Sequence, residues 1–448
     1  MKRIALVALG GVAGFALALG VLGVAQGAND NTSTFRQFDV FSQAFQRVRE
    51  DYVRPVSDSE LMTAAIQGMV SSLDPHSAYM DAKSFNGDFA IQTKGQFGGV
   101  GVEIQMDDGL VKVISPIDGT PAAKAGIKPG DHIAAVDGQP IAGMSQDDAI
   151  NKMRGPAGTK ITLTILREGE KKPFDVTLTR AVVQVDAATW RREGDIGYIR
   201  LPGFNEQTAD GLEKAVRELK KQIGPGVKGY ILDLRNNPGG LLDQAVQVSD
   251  DFLPSGEIVS TRGRHPEDTL RYDAKPGDIT DGKPVVVLIN AGTASASEIV
   301  SGALQDHKRA TIIGMTSFGK GSVQTILPLE GGGALRLTTA RYYTPSGHSI
   351  QAQGIIPDIQ VAQGDESAIP KLLRPSEADL RGHLQGEPLP ASRLNAPVVH
   401  PAPGKKYDDF QLSYAEDLLH GKMTVASANQ QAAATPAEKP GADANTTR

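Results

Sequence analysis

The chain has 448 residues, 40% hydrophobic and 22% charged, so it can bury two or three compact cores and is not a disordered polymer. Its formal charge of −6, its pI of about 5.8 and the lack of a long basic run argue against a nucleic-acid partner. The absence of cysteine excludes disulfides and thiolate chemistry, and no H-E-x-x-H or comparable ligand spacing occurs, so we expect an oxygen or amine nucleophile, no metal and no cofactor.

Residues 1–27 have the composition of a targeting segment. Lys2 and Arg3 precede an uncharged stretch over residues 4–25, and the following A-Q-G resembles a small-residue cleavage site. A stretch of this length also suffices to cross a bilayer, which takes about 20 residues. We therefore expect export to the periplasm or the outer face of the cytoplasmic membrane, with this segment either cleaved or kept as an anchor.

Residues 28–94 are predicted to be helical. The first helix carries an apolar stripe at spacings of three and four, typical of a packing helix and formed by Phe35, Phe38, Phe41, Phe45 and Val48. A second helix, D-S-E-L-M-T-A-A-I-Q-G-M-V-S-S-L, follows an Asp or Ser cap and ends before D-P-H-S-A-Y-M. Pro75 marks that stretch as a turn.

Residues 95–183 change to short β-type runs, glycine turns and one helix at residues 145–154. F-G-G-V-G-V-E-I, followed by G-T-P-A-A-K-A-G-I-K-P-G-D-H-I-A-A-V-D-G-Q-P-I, resembles a PDZ domain. A glycine-rich turn points backbone N–H groups at an anion, and the next strand can pair with an extended peptide. The resemblance implies that a carboxy-terminal tail is held by Gly99, Val100, Gly101 and Val102.

Residues 184–362 alternate strands such as P-V-V-V-L-I-N with helices such as T-A-D-G-L-E-K-A-V-R-E-L-K-K-Q-I, which predicts an α/β layer with buried strands. Three loops each follow an apolar strand: those containing N-N-P-G-G, G-T-A-S-A-S and S-F-G-K-G. Because ligand chemistry in such folds lies at the carboxyl ends of strands, we expect the three loops to converge on one rim.

Residues 363–424 are predicted to be a low-complexity segment that ends in a packing helix. The segment is rich in Pro, Ala, Gln and Gly over roughly residues 363–405, and the helix lies in K-Y-D-D-F-Q-L-S-Y-A-E-D-L-L-H-G. Residues 425–448 have the composition of a disordered tail.

Ser295 is the candidate nucleophile. At a helix N-terminus it lies among unpaired amides, where an oxyanion is stabilised; the Ala296 N–H is one donor and the N–H of Gly239, or of Gly240, the second. Lys320, between two glycines, becomes a general base if burial keeps its amine neutral. A bond from this amine to the Gln324 side chain is expected to orient it.

Other side chains near these loops have alternative roles. Ser295 and Glu298 fit a capping box, so Glu298 is a cap or, alternatively, orients active-site groups. Ser297 points about 100° away around the helix and, like Ser301, is predicted to be structural.

A Ser–His–Asp triad through His348 is the competing arrangement for the nucleophile, because histidine is the usual partner of a catalytic serine. Asp233 and Arg235, in L-D-L-R-N-N, are expected to fix the neighbouring loop rather than to react.

Taken together, S-L-D-P-H-S-A-Y-M, the PDZ-like run, L-D-L-R-N-N-P-G-G, A-S-A-S-E-I, F-G-K-G-S-V-Q and T-P-S-G-H-S-I-Q-A-Q-G-I-I-P-D-I resemble the carboxy-terminal processing, or tail-specific, proteases. The resemblance covers residues 35–362 and the last predicted helix. It implies an α/β (α+β multidomain) protein with a Clp protease/crotonase-like core, an inserted PDZ domain and an N-terminal helical segment.

The resemblance also implies a Ser–Lys endopeptidase. In this family the two catalytic residues lie 25 positions apart, and Ser295 is the serine at that distance from Lys320. The same resemblance places Gln324 beside the lysine, and the amides of Gly239 and Ala296 in the oxyanion hole. The substrates would be proteins with apolar carboxy-terminal tails, with or without an adaptor protein, and the enzyme would be a homo-oligomer or a monomer. A non-catalytic PDZ scaffold and an acyl-transfer enzyme on a crotonase-like core are the alternatives.

Overall fold

The computed structural model describes residues 33–107, 109–117, 119–364, 376–387, 398–402 and 405–423. The predicted targeting segment and the predicted carboxy-terminal tail lie outside the described residues. The chain divides into two compact units, Met1–Ser72 and Leu73–Arg448. Within the described ranges, no helix combines the length and apolar character that a bilayer crossing requires.

The first unit contains helix α1 over residues 33–51 and helix α2 over Asp58–Ser71. Ser57 caps α2 in a capping box, because its Oγ accepts from Glu60 N–H at 3.2 Å and its own N–H donates to Glu60 Oε2 at 3.0 Å. The aromatic stripe of α1 is exposed rather than packed: Phe35 is 69% and Phe38 65% accessible.

The second unit begins with short elements that the sequence pattern did not separate: β1 (Ala78–Met80), α3 (Ala82–Ser84), a π-helical turn (Phe85–Phe89) and α4 (Ala90–Lys94). The stretch assigned to a turn at Pro75 therefore continues into strand β1. This strand pairs antiparallel with residues 334–336 and so joins a sheet built from later parts of the chain.

The PDZ-like region follows. Its elements are β2 (Gln96–Gly99), β3 (Val102–Asp107), β4 (Leu110–Pro116), α5 (Pro121–Lys124), β5 (His132–Val136), β6 (Gln139–Pro140), α6 (Gln146–Met153), β7 (Lys160–Leu166), β8 (Phe174–Thr179) and β9 (Ala181–Gln184). Among the described residues, a six-stranded sheet has the order β3-β4-β5-β7-β8, with β6 on β5, and β2 pairs with β9. Strand β3 therefore lies at a sheet edge, after the glycine-rich turn.

The core of the second unit is an α/β layer. Its elements are β10 (Thr189–Glu193), β11 (Ile196–Arg200), α7 (Thr208–Ile223), β12 (Gly229–Asp233), α8 (Leu242–Asp250), β13 (Gly256–Gly263), β14 (Leu270–Ala274), β15 (Val285–Ile289), α9 (Ala296–Asp306), β16 (Ala310–Gly314), β17 (Ser322–Pro328), β18 (Ala334–Tyr343), β19 (Ile359–Val361), β20 (Val398–Val399) and α10 (Phe410–Leu419).

Two sheets are built from these strands in the described part of the chain. A seven-stranded sheet has the order β10-β11-β12-β15-β16-β19-β20, and every pair after β10–β11 is parallel. Strands β12 and β15 are buried along their whole length, as expected for parallel strands covered on both faces. The second sheet, β1-β18-β13-β14 with β17 on β18, is antiparallel. The protein is thus α+β with a mainly parallel core.

Helix α10 packs on the main sheet. Its buried side chains share an apolar cluster with residues of six strands, and the helix contributes Phe410, Leu412, Tyr414 and Ala415. Asp409 caps the helix by accepting from Leu412 N–H at 3.0 Å. The helix that closes the low-complexity region is therefore part of the folded core.

Candidate active site

The three predicted loops lie side by side. They follow β12, β15 and β16, which are consecutive parallel neighbours in the main sheet. We call them the glycine loop (residues 234–241), the serine loop (residues 290–295) and the lysine loop (residues 315–321). Because the strands run in the same direction, all three loops lie at one edge of the sheet.

Hydrogen bonds between backbone groups fix the loops to one another. The Ala294 N–H in the serine loop donates to the Asn237 carbonyl oxygen in the glycine loop at 2.9 Å. The Phe318 N–H in the lysine loop donates to the Thr293 carbonyl oxygen at 2.9 Å. The serine loop is therefore held from both sides.

Ser295 stands immediately before helix α9, with only 7% of its surface exposed. Its φ of 55° is in the left-handed region, which costs a non-glycine residue about 1–3 kcal/mol and persists only where the surroundings enforce it. The positive end of the α9 dipole faces its side chain. Strain of this kind is common at catalytic positions.

Glu298 links the serine and lysine loops. Its carboxylate is completely buried and accepts four hydrogen bonds. Oε2 accepts from the N–H groups of Ser295 at 2.7 Å and Lys320 at 2.9 Å, while Oε1 accepts from Ser317 Oγ at 2.6 Å and Gly319 N–H at 2.7 Å. Burial raises the pKa of Glu298 to about 7, against the opposing effect of these bonds. Glu298 is thus both the predicted cap and a link between the loops.

Lys320 lies in the same cleft as Ser295. Burial lowers the pKa of its amine below the ordinary value of 10.5, and the Arg336 guanidinium lowers it further. The carboxylates of Glu377, Glu298 and Asp74 act in the opposite direction. The net effect is an amine that loses its proton more readily than an ordinary lysine, and the neutral form is the one that accepts a proton.

Gln324 lies on β17, four residues after Lys320, and lines the same cleft. Its amide nitrogen donates to Ser322 Oγ at 2.9 Å and to Thr338 Oγ1 at 3.3 Å. With the nitrogen so occupied, Oε1 is the atom suited to accept a bond from the lysine amine.

Gly239 packs directly against the serine loop. A Cβ at this position would meet Ser295 Cβ and the Ala294 carbonyl oxygen, each at 2.8 Å, so only glycine fits. Its N–H donates to Asn237 Oδ1 at 2.9 Å. Ala296 is the first residue of α9, and its N–H therefore has no acceptor within the helix. Of the two expected oxyanion donors, one is already engaged by Asn237.

The cleft that holds these residues has a volume of about 720 Å³. Gly239, Ser295, Lys320 and Gln324 line it together with Arg336. The rest of its lining includes the polar side chains of Gln92, Thr93 and Asn205 and an apolar set formed by Phe89, Phe204, Leu241, Leu242, Val323, Ile326 and Tyr342. An apolar peptide segment can therefore be bound next to the candidate nucleophile.

The competing hydroxyls and the competing base lie elsewhere. Ser297 Oγ donates to the Asn237 carbonyl oxygen at 3.0 Å, and Ser301 Oγ to the Ser297 carbonyl oxygen at 2.8 Å. His348 lines a separate small pocket with Asp306. The structure therefore does not bring His348 to the cleft of Ser295.

Arg235 joins three parts of the chain. Its Nη2 lies 2.7 Å from Asp233 Oδ2 and 2.7 Å from Asp409 Oδ2, so it ties the end of β12 to helix α10. Asp233 is fully buried and also accepts from the Tyr198 hydroxyl at 2.7 Å. This network supports the glycine loop from behind and does not line the cleft.

Sequence reasoning missed two contributors to the site. Asn237 is fully buried and holds both loops, because its side chain accepts from Gly239 N–H and its carbonyl oxygen accepts from Ala294 N–H. Its position in N-N-P-G-G indicated only a tight turn. Glu377 is fully buried beside His76, yet it lies in the segment whose composition indicated no structure. Nothing in its sequence neighbourhood distinguishes it.

The predicted tail-binding residues lie between β2 and β3. Val100 is buried, and Gly101 has a φ of 78° that brings the chain against Thr120. Gly99 ends β2, and Val102 begins the edge strand. The arrangement leaves the outer edge of β3 without a partner strand among the described residues.

Comparisons with protein families and with individual proteins both find proteases. The model of Peptidase family S41 matches residues 195–361, that of the PDZ domain residues 89–166, and that of the activating protease CtpB N-terminal domain residues 18–84. A carboxy-terminal-processing protease of Bartonella bacilliformis is 51% identical over 424 residues, covering 93% of this chain and 96% of that protein.

Two further relatives are more distant. The carboxy-terminal processing protease CtpA of Bacillus subtilis is 38% identical over 342 residues, which cover 75% of this chain and 71% of that protein. Among solved structures, the photosystem II D1 C-terminal processing protease is 33% identical with a TM-score of 0.42 and covers 71% of this chain and 86% of that chain.

Proposed function

The chain belongs to the carboxy-terminal processing proteases and is a serine-type peptidase, and from this premise we propose that Ser295 and Lys320 form its catalytic dyad. The observation that carries the proposal is the shared cleft: both residues line it, and one oxygen of Glu298 accepts from both backbones. Neutral Lys320 takes the Ser295 proton, and Ser295 Oγ attacks the scissile carbonyl. The peptide C–N bond then breaks as Lys320 passes this proton to the leaving amine, which leaves an acyl-enzyme. Water then releases the acyl group.

The oxyanion is stabilised by backbone N–H groups at the start of α9 and in the glycine loop. Ala296 supplies the first donor. Gly239 supplies the second donor: its N–H, which bonds to Asn237 Oδ1, also bonds to the oxyanion. The N–H of Gly240 is the alternative second donor. Gln324 Oε1 holds the lysine amine in orientation, with its own nitrogen fixed by Ser322 and Thr338.

The PDZ region selects the substrate through a free carboxy-terminal tail. The tail adds to the unpartnered edge of β3, with its carboxylate in the turn of residues 99–102. The partly buried side chains of β3 and the neighbouring helix α6 favour apolar tail residues. The substrates are therefore proteins with apolar carboxy-terminal tails.

The compartment and assembly are part of the same proposal. The amino-terminal pattern of residues 2–25 supports export, so the substrates are envelope proteins. The exposed aromatic stripe of α1 supports self-association, since large apolar side chains in a row are usually covered. A monomeric mass in solution at working concentration contradicts self-association.

A gel time course tests the function. Wild type, Ser295→Ala and Lys320→Ala are incubated with a loosely folded protein that ends either in an apolar tail or in the same tail followed by Asp-Asp. Tail-dependent degradation by wild type alone is expected. Tail binding without cleavage by any of the three indicates a PDZ scaffold or a missing adaptor, and degradation by Ser295→Ala shows that the nucleophile is another residue. Cleavage of a thioester at a rate that does not depend on a carboxy-terminal tail supports the acyl-transfer alternative.

A further inference from the structure

Residues 376–387 lie against the lysine loop. They belong to the segment that separates the catalytic core from α10, and their contacts with the core are specific. The Glu377 N–H donates to the Phe318 carbonyl oxygen at 2.9 Å, two residues before Lys320. The segment therefore holds the lysine loop on its amino-terminal side.

The carboxylate of Glu377 holds the other side of the loop through Gln351. Glu377 Oε1 accepts from Gln351 Nε2 at 2.9 Å, and Gln351 Oε1 accepts from Gly321 N–H at 3.1 Å. Both Glu377 and Gln351 are fully buried. Lys320 is thus flanked on both sides by residues that the same glutamate holds.

The second oxygen of Glu377 faces His76. Glu377 Oε2 lies 2.7 Å from His76 Nε2, and the His76 carbonyl oxygen accepts from Arg336 Nε at 3.0 Å. Arg336 lines the catalytic cleft beside Lys320. His76 therefore connects the segment to Arg336, the guanidinium that lowers the pKa of Lys320.

We propose that Glu377 is a positioning residue for Lys320, and that residues 376–387 act as a clamp on the lysine loop. This inference rests on the proposed function, because positioning Lys320 affects the reaction only if Lys320 is the base. Further contacts anchor the clamp: Gln351 Nε2 donates to the Leu384 carbonyl oxygen at 3.0 Å, and the Tyr343 hydroxyl donates to Glu387 Oε1 at 3.0 Å.

The charge of Glu377 also acts on the base. Burial alone would raise the pKa of Glu377, but the bonds from His76 and Gln351 outweigh it and keep the pKa below the usual range. The resulting anion raises the pKa of Lys320, as Glu298 and Asp74 do, whereas Arg336 lowers it. Glu377 therefore offsets part of the lowering that burial produces.

Two substitutions at Glu377 distinguish the effect of its hydrogen bonds from the effect of its negative charge. Glu377→Gln keeps the shape and the bond to Gln351 but removes the anion, whereas Glu377→Ala removes both. Glu387→Gln is the matched control, because it removes a negative charge from the same segment but keeps an oxygen that can accept from the Tyr343 hydroxyl. Lys320→Ala reports on the proposed function itself.

The measurement is kcat and KM of the full chain on an internally quenched peptide with an apolar carboxy-terminal tail, as a function of pH. We expect Glu377→Ala to lower kcat about tenfold or more with KM within about twofold. Glu377→Gln should restore most of kcat and move the acidic limb of the profile lower by about half a pH unit, since Lys320 then loses its proton more readily. Glu387→Gln should match wild type.

Three results overturn the inference. If Glu377→Gln has the wild-type pH limb and Glu377→Ala has the wild-type kcat, Glu377 does not act on Lys320. If Glu377→Ala loses activity only in proportion to a lowered melting temperature, and Glu377→Gln leaves the limb unmoved, the role is structural. If Lys320→Ala remains active, the proposed function fails and the clamp with it.

Discussion

Ser295 and Lys320 are joined through a single carboxylate oxygen, because the backbone N–H groups of both residues donate to Glu298 Oε2, at 2.7 and 2.9 Å. The residue that caps the helix of the proposed nucleophile thus also holds the loop of the proposed base. A displacement of Glu298 is therefore expected to move both residues of the proposed dyad.

Glu298→Gln should therefore inactivate the enzyme without unfolding it. Whichever way the amide is oriented, its nitrogen faces at least one backbone N–H and leaves that donor without an acceptor. Because misplacing a reacting group by about 1 Å can cost about 10²-fold in rate, we expect a fall in kcat/KM of that order. Ser301→Ala, on the same helix, removes only a bond to the Ser297 carbonyl and serves as the control. Equal activity of the two variants contradicts the account.

The same carboxylate should give the folded state a characteristic pH dependence. Burial raises the pKa of Glu298 from 4.5 to about 7, so between these values the native protein keeps a proton that the unfolded chain has lost. The contribution of Glu298 to stability is then fully present below pH 4.5 and decreases as the pH rises to about 7. Chemical denaturation of wild type and Glu298→Gln over this range should show a steeper decrease in wild type, because the decrease due to buried Asp251, whose pKa is raised to about 8, is common to both proteins. Parallel curves contradict it.

Removing Asp409 should loosen helix α10. Burial alone would raise the pKa of Asp409, but hydrogen bonds from Arg235 hold it below the usual range. Asp409→Ala removes the cap of α10 and leaves the mostly buried Arg235 with Asp233 as its one carboxylate partner, beside Gln411. We expect a cost of about 2 kcal/mol in the free energy of unfolding. Asp408→Ala, one residue earlier and exposed, is the control. Limited proteolysis should release α10 from Asp409→Ala first; indistinguishable melting and cleavage of the two variants is the opposing result.

Gly101→Ala should abolish tail dependence. A Cβ at Gly101, whose φ is 78°, would lie 2.4 Å from Thr120 Cβ and displace the turn that precedes the edge strand. Gly109→Ala carries the same backbone strain, with a φ of 75°, but its Cβ meets nothing within 4 Å. Binding of a fluorescent apolar-tail peptide should weaken at least about tenfold in the first variant. Tail binding that falls equally in both variants would show that the strain, not the turn, is responsible.

The sequence was informative where periodicity and loop chemistry agree. The stretch predicted as the helix T-A-D-G-L-E-K-A-V-R-E-L-K-K-Q-I coincides with α7, and the three loops follow neighbouring parallel strands as expected. The antiparallel sheet around β18 was not predicted, because its strands are half exposed and mix polar with apolar residues. Pairing across large sequence separations leaves no local pattern.

The contacts around Lys320 were also beyond sequence reasoning. Glu377 comes from a segment with no periodic pattern, and its burial depends on partners 301 and 26 positions away, His76 and Gln351. The bond from Gly239 N–H to Asn237 Oδ1 depends on a turn conformation that the sequence N-N-P-G-G permits but does not specify. Such contacts follow from tertiary packing.

The most direct test of the dyad is intact-protein mass spectrometry after incubation with a fluorophosphonate, which labels activated serines. We expect one adduct per chain on the peptide that contains Ser295 in wild type, no adduct in Ser295→Ala, and labelling slowed by about 10²-fold or more in Lys320→Ala, because the base is then missing. An adduct on any other serine, or unchanged labelling of Lys320→Ala, would contradict the assignment of Ser295 as nucleophile and Lys320 as its base.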